Sequence, residues 1–298
     1  MNQPLLSIVI PTYNRPEKLT ELLTSVRDQS GLRKNKSIFE IIIRDNNSDI
    51  NIEDTISVFK NDLSIKFSKN KTNIGGIKNL FKVCIDANGK FVFLMSDDDL
   101  LCKNTLSKIF NILKKYPEIG VISGPQKCQD DNAVKQCNKI VFNKNNKDIL
   151  LGKGYDAFIN LFLRATSISG LIINKDLVDI NGAKKHKNSL YPQIYLVGKA
   201  TKTHQAYYFS DPIVKIRINE KKYWEYEADF NAEAIVNVLK SLTKDVSWGK
   251  KAYKKIIKQR ILYSYAPLKL QRLKTTSDFI NTIKALSKIE DYRHSIIF

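Results

Sequence analysis

Phe91-Val92-Phe93-Leu94-Met95-Ser96-Asp97-Asp98-Asp99 decides how this chain is read. An unbroken apolar run bounded by polar residues is the profile of a strand covered on both faces. Three adjacent carboxylates follow almost at once. Their mutual repulsion beside a hydrophobic strand needs a reason, and a divalent cation supplies one. Mg²⁺ or Mn²⁺ prefers carboxylate and water oxygens together with substrate phosphates. An acidic helix start favoured by the helix dipole accounts for part of the run, Asp99 in particular.

The same pattern recurs outward from that stretch. Leu5-Leu6-Ser7-Ile8-Val9-Ile10 ends at Pro11-Thr12-Tyr13-Asn14-Arg15, and Phe39-Glu40-Ile41-Ile42-Ile43 closes on Asp45-Asn46-Asn47-Ser48-Asp49. Asn14 is placed to cap a helix running to about Gln29, with Pro16 in its first turn. A short helix follows Asp49, then a strand around Ile65–Phe67, a helix from about Gly75 to Ala87, a helix over Thr105–Lys115 and a strand over Ile119–Ser123. Strands alternating with helices predict βαβ units around a mainly parallel sheet, an α/β fold. In such sheets ligands bind beyond the carboxyl ends of the strands. Asn and Asp are common in any turn, but three polar clusters at the same end of successive strands point to one site.

Composition narrows the class. The chain has 298 residues, 43% hydrophobic and 27% charged, which excludes a disordered or fibrous protein. No stretch approaches the ~20 apolar residues of a membrane span, and the N-terminus lacks the basic segment of a signal peptide. The cysteines (Cys84, Cys102, Cys128, Cys137) match neither a disulfide framework nor a zinc site, so a reducing cytoplasm is the default. The formal charge of +19 favours polyanionic partners. Nine basic residues and no acid lie between Lys250 and Lys274, interleaved with Ile, Leu and Tyr at helical spacing. Such a stretch either lies on an anionic membrane, its apolar side partly inserted, or packs that side on the protein and turns its lysines to water. No RNA- or DNA-binding motif accompanies the charge. Gln126–Asp148 reads as an exposed excursion, and from about Trp224 helical periodicity dominates. The three His residues are too scattered for a zinc motif, and Gly152-Lys153-Gly154-Tyr155-Asp156-Ala157 follows no first strand of a dinucleotide fold.

Taken together, the Leu5–Arg15 segment, the Asp45–Asp49 turn, Asn73-Ile74-Gly75-Gly76 with Lys78-Asn79, and Phe93–Asp99 resemble the family 2 glycosyltransferases of GT-A fold. The likeness covers roughly the first 125 residues and is nearest to the bacterial O-antigen and capsule branch, abequosyltransferase-like enzymes among them. The resemblance implies that Pro11, Thr12 and Tyr13 line a nucleotide pocket, with Arg15 and Asn73 beside it. It implies that Asp45 bonds the nucleobase, that Lys78 stands for a family Arg near the diphosphate, that Asp97 approaches ribose or metal, and that Asp98 is the principal ligand of Mn²⁺ or Mg²⁺. Ser96 stands where many relatives carry Asp, and Ser169-Gly170 belongs to an acceptor wall. Inverting members place a catalytic carboxylate some 90–100 residues beyond the metal motif. Here Ser189–Leu196 contains no acid, and Gln193 cannot accept a proton. His186, Asp211 and Asp130-Asp131 are the other candidates, and the catalytic base is unassigned. A retaining route, in which the leaving phosphate takes the proton, needs none.

The resulting expectation is a GT-A domain over residues 1–220, with a nucleotide- and metal-binding half over 1–125 and an acceptor half over 126–220, followed by a basic helical region over 221–298. It would move a sugar from a nucleotide-diphosphate-sugar donor to a glycan or lipid-linked O-antigen or capsule precursor, at the inner face of the cytoplasmic membrane. The rival readings are a nucleotidyltransferase that makes a nucleotide-sugar, and a non-catalytic membrane-bound assembly partner that retains the fold.

Overall fold

A computed structural model describes residues 3–29, 38–129, 147–165, 167–186, 192–217 and 228–258. The Asp130-Asp131 pair, residues 187–191, Trp224, and the basic tail beyond residue 258 lie outside them. The chain divides into two compact units.

The first unit comprises residues 1–151, 167–178 and 204–218. Its strands are β1 (Leu6–Thr12), β2 (Phe39–Asp45), β3 (Ile65–Lys69), β4 (Phe91–Leu94), β5 (Leu100–Leu101), β6 (Val121–Ser123), β7 (Gln126–Cys128), β8 (Ile149–Leu151), β9 (Leu171–Asn174), β10 (Ala206–Tyr208) and β11 (Val214–Ile216). Its helices are α1 (Pro16–Arg27), α2 (Ile52–Ser57), α3 (Gly76–Asp86) and α4 (Thr105–Lys115). Eight strands form the main sheet in the order β3-β2-β1-β4-β9-β6-β10-β8. Neighbours β3, β2, β1 and β4 are parallel, and β9 enters antiparallel between β4 and β6. A smaller sheet, β5-β11-β7, stands apart from it.

The apolar runs behave as expected. Ile8, Ile10, Ile41, Ile43, Phe91 and Phe93 are fully enclosed, packed with Leu19, Leu22, Leu23 and Val26 of α1 and Leu106, Ile109 and Leu113 of α4 in one core. Beneath the sheet, Ser7 donates to the buried Glu40 at 2.6 Å, Asn88 donates its amide to the same oxygen at 2.8 Å, and Lys66 pairs with the carboxylate at 2.8 Å. Gly89 is required here, because a Cβ would sit 2.6 Å from the Ser7 amide nitrogen.

Two details depart from expectation. Asn14 does not cap α1: it turns to φ 53°, and Arg15 is the first residue of the helix boundary, with no side-chain cap. Cys84 and Cys102 are free thiols, whereas Cys128 on β7 is disulfide-bonded, so the cysteines are not the wholly unpaired set that their spacing suggested.

The second unit comprises residues 152–166, 179–203 and 219–298. Its described elements are helical: α5 (Tyr155–Leu161), α6 (Ile180–Lys184), α7 (Pro192–Thr203), α8 (Ala228–Thr243) and α9 (Gly249–Ile256). Gly198 lets α7 approach closely, since a Cβ there would lie 2.5 Å from Leu242 of α8. Phe158 stacks on Phe162 and meets Trp248 with ring centroids 5.1 Å apart. On α9, Ala252 and Ile256 are buried, as is the adjoining Ile257, while Lys250, Lys251, Lys254 and Lys255 are exposed. The apolar side of this part of the basic stretch therefore packs on the protein, and the part beyond residue 258 lies outside the described residues. Among the described residues, no helix is long and apolar enough to cross a membrane.

Candidate active site

Register brings the polar clusters together. Thr12 on β1 lies opposite Asp45 on β2, and Val9 lies opposite Leu94 on β4. Three residues further along each of these two chains stand Thr12 and Asp97, and the Thr12 hydroxyl donates to Asp97 Oδ2 at 2.8 Å. Arg15, at the start of α1, completes the junction. Its Nη1 lies 3.0 Å from Asp97 Oδ1 and 3.0 Å from Asp98 Oδ2. The remaining Asp98 oxygen accepts the Ser96 hydroxyl at 2.6 Å. Each carboxylate thus has one oxygen held by a hydroxyl and the other turned to a shared cationic nitrogen.

Burial pushes the Asp97 carboxyl above the ordinary carboxylate range, against the Arg15 charge and the Thr12 bond, with the Asp98 charge adding to the rise. Asp99 faces other partners. Its Oδ2 accepts the Ser169 hydroxyl at 2.5 Å and its Oδ1 accepts the Arg217 amide at 2.9 Å. Burial raises it to about 7 despite those donors, helped by the charges of Asp98 and Asp97. Among the described residues no three acidic, His or Cys side chains form a metal-holding group. Two carboxylates converging on one positive charge nevertheless fit a hard divalent cation, which completes its shell with water and phosphate oxygens.

The β2 side is tied by amides. Asp45 is wholly buried and accepts from the Ser48 amide at 3.1 Å and from the Ser48 hydroxyl, with Lys69 at 3.7 Å. Asn14 donates its amide to Ser48 at 2.8 Å and exchanges side-chain bonds with Asp49. Its left-handed turn is thus the joint between the β1 and β2 loops. Asn46 donates to Asn73 at 2.8 Å and accepts from Asn70 and the Ile74 amide. Asn70 donates in turn to Asn79 at 2.8 Å, and Asn79 donates to the Arg44 carbonyl at 3.0 Å. Asn73 is so drawn to the strand ends, while Tyr13 is 40% exposed and Lys78 stands exposed on the first turn of α3. Pro11, half-buried, pairs with Arg44 in register.

The candidate bases have other engagements. Asp211 pairs with Lys108 at 2.9 Å. His186, in the helical unit, lies 3.2 Å from the Ser241 hydroxyl, and burial and then Lys185 lower its pKa. Gln193 is buried in α7. Ser169, expected on an acceptor wall, is 1% exposed beneath the acidic turn. Sequence reading missed the roles of Gln129, whose side chain donates to the Asp98 carbonyl at 3.0 Å, and of Arg217. Neither belongs to a local pattern, since each reaches the turn across a long stretch of chain.

A mainly parallel sheet whose β1, β2 and β4 ends converge on an acidic turn is the architecture of GT-A glycosyltransferases. The glycosyl transferase family 2 model matches residues 7–168, and the chain belongs to that family. Abequosyltransferase RfbV of Salmonella typhimurium is 27% identical over 225 residues, covering 72% of this chain and 66% of that protein. The chain spans just under two thirds of that relative and less than half the length of the other curated proteins it matches. In fold it is similar to S. aureus TarS 1-349 in complex with UDP-GlcNAc, with a TM-score of 0.69 at 18% identity, over 95% of this chain and 80% of that one. It is also similar to the mannosyltransferase PcManGT from Pyrobaculum calidifontis in complex with GDP-Man and Mn²⁺, with a TM-score of 0.59 at 13% identity, over 99% and 83% of the two chains.

Proposed function

We propose that this protein transfers one sugar from a nucleoside-diphosphate-sugar donor to a glycan acceptor, a lipid-linked O-antigen or capsule precursor. The convergence of Thr12, Arg15, Asp97 and Asp98 at the carboxyl ends of β1 and β4 carries the reading. Membership of family 2 supports sugar transfer. The likeness to a Campylobacter jejuni glucosyltransferase named for an undecaprenol-linked glycan supports a lipid-linked acceptor, and the nucleotide-sugar complexes of the two fold relatives support the donor class.

In the transfer an acceptor oxygen bonds the anomeric carbon as the bond from that carbon to the phosphate oxygen breaks. The nucleoside diphosphate departs, and the acceptor proton leaves with it or with a base. Residues 1–125 would bind the nucleotide and 126–220 the acceptor. Pro11, Thr12, Tyr13 and Asn73 would border the nucleoside, with Asp45 at the base. Arg15 and Lys78 would bring positive charge to the diphosphate. Asp97 and Asp98 would hold Mg²⁺ or Mn²⁺, which when bound supplies charge neutralisation of that leaving group. The exposed lysines of α9 suit an anionic membrane surface, reached by charge alone and consistent with a peripheral protein of the inner face.

Calorimetric titration with UDP, CDP, GDP and dTDP, each with and without Mn²⁺, tests the proposal. One diphosphate should bind tightly only with metal, and Asp98→Ala should abolish that metal-dependent binding. Binding of none would overturn the donor assignment, and unchanged binding by the variant would overturn the metal assignment.

A further inference from the structure

Asp97 and Asp98 share Arg15, but Asp99 is fastened to a different part of the fold. The Ser169 hydroxyl accepts the Ser96 amide at 2.9 Å and donates to Asp99 Oδ2 at 2.5 Å. One oxygen therefore bridges both ends of the Ser96–Asp99 turn, across which the Asp99 amide also reaches the Ser96 carbonyl at 3.4 Å. Ser169 is itself fixed. Gln126 donates to its carbonyl at 2.9 Å, and the next residue, Gly170, adopts φ +90°, with Val214 side-chain carbon 3.2 Å from where a Cβ would stand. Arg217 and Gln129 close the turn from the small sheet, at the Asp99 carboxylate and the Asp98 carbonyl.

We infer that Ser169 is a positioning residue for the diphosphate and metal turn, an inference that rests on the glycosyltransferase reading. Three adjacent carboxylates left to themselves would splay apart. Ser169 prevents this by giving the third acid a neutral donor within the protein and by holding the amide that begins the turn. Asp98 is thereby left directed at Arg15, the place a cation would take. Ser169 is 1% exposed, so water does not replace its hydroxyl, and its loss strands the Ser96 amide and a buried carboxylate oxygen of Asp99. Hydrogen-bond partners directly behind a ligating carboxylate commonly change metal affinity by about 10- to 100-fold. Ser169 acts one step further out, through Asp99 and the Ser96 amide, so the low end of that range is expected.

The test is Mn²⁺ binding to the full chain, followed by electron paramagnetic resonance of the free ion without nucleotide, with thermal melting in EDTA alongside. Ser169→Ala should weaken Mn²⁺ by about 10-fold while remaining folded, and Ser169→Thr, which restores the hydroxyl, should recover the affinity. A purely structural role would lower the melting temperature and leave the affinity of the folded fraction unchanged. Wild-type Mn²⁺ affinity in folded Ser169→Ala would overturn the inference alone. Failure of the wild type to bind Mn²⁺ would overturn it together with the metal assignment. The diphosphate titration on the wild type decides the glycosyltransferase reading separately.

Discussion

Arg15 occupies the point to which Asp97 and Asp98 both turn, and replacing it by Gln should make the site a better cation trap. A divalent ion entering between the two carboxylates must displace the guanidinium from two contacts of 3.0 Å each. Arg15 is 39% exposed, while Asp97 and Asp98 are 6% and 15% exposed. The pairs therefore fall between solvent-screened ion pairs, worth about 0.2–1 kcal/mol, and hydrogen bonds to charged groups, worth about 1.5–3 kcal/mol. A combined loss of about 1–2 kcal/mol corresponds to roughly 5- to 30-fold in affinity. Arg15→Gln should accordingly bind Mn²⁺ about 5- to 30-fold more tightly than the wild type in the absence of nucleotide. In EDTA the variant should melt at a lower temperature, because the two acids lose their counter-charge, and Mn²⁺ should recover more of that loss than it adds to the wild type. The titration belongs at pH 8, since burial raises the Asp97 carboxyl and removal of Arg15 raises it further. Equal or weaker Mn²⁺ binding by the variant would refute the reasoning and make Arg15 a brace for the turn.

Two further outcomes follow from other parts of the molecule. Burial pulls the Glu40 carboxyl up, but Lys66, Ser7 and Asn88 outweigh it, and the net shift is downward from 4.5. A depressed carboxylate contributes stability above its unfolded pKa and loses it as pH falls through the folded value. Urea unfolding from pH 7 to pH 3 should therefore show a steeper acid loss in the wild type than in Glu40→Gln, and parallel curves would remove Glu40 from the acid limb. Exchange of Lys250, Lys251, Lys254 and Lys255 for Gln should weaken sedimentation with anionic vesicles, most at low salt. Because Ala252, Ile256 and Ile257 are already buried, binding that resists high salt would refute a contact made by charge alone.

Much of the fold was legible because its signals are local. Continuous apolar runs such as Ile41–Ile43 and Phe91–Met95 announce strands enclosed on both faces. The turn residues that end them mark the carboxyl edge of the sheet. Thus β1, β2, β3, β4, β6 and the helices over Pro16–Arg27, Gly76–Asp86 and Thr105–Lys115 lie close to where the pattern put them. The short strands β5, β7, β8, β10 and β11 escaped notice. Two or three residues carry no period, and they are strands only because a distant partner supplies their hydrogen bonds.

The site divides the same way. The candidate residues were legible in the sequence, since Thr12, Arg15, Asp45 and Asp97–Asp98 sit in runs whose chemistry is visible from their neighbours. Which of the three acids pairs with Arg15 was not. Asp99 departs from the other two because Ser169, 70 residues away, and Arg217, 118 residues away, meet it. Asn14, a helix cap by local rule, became a loop joint because Ser48 and Asp49 offered it better partners. Local sequence sets the backbone preferences and the donors and acceptors each segment carries. Only the folded sheet decides which of those groups come within hydrogen-bond reach, because that depends on strand register and crossover connections.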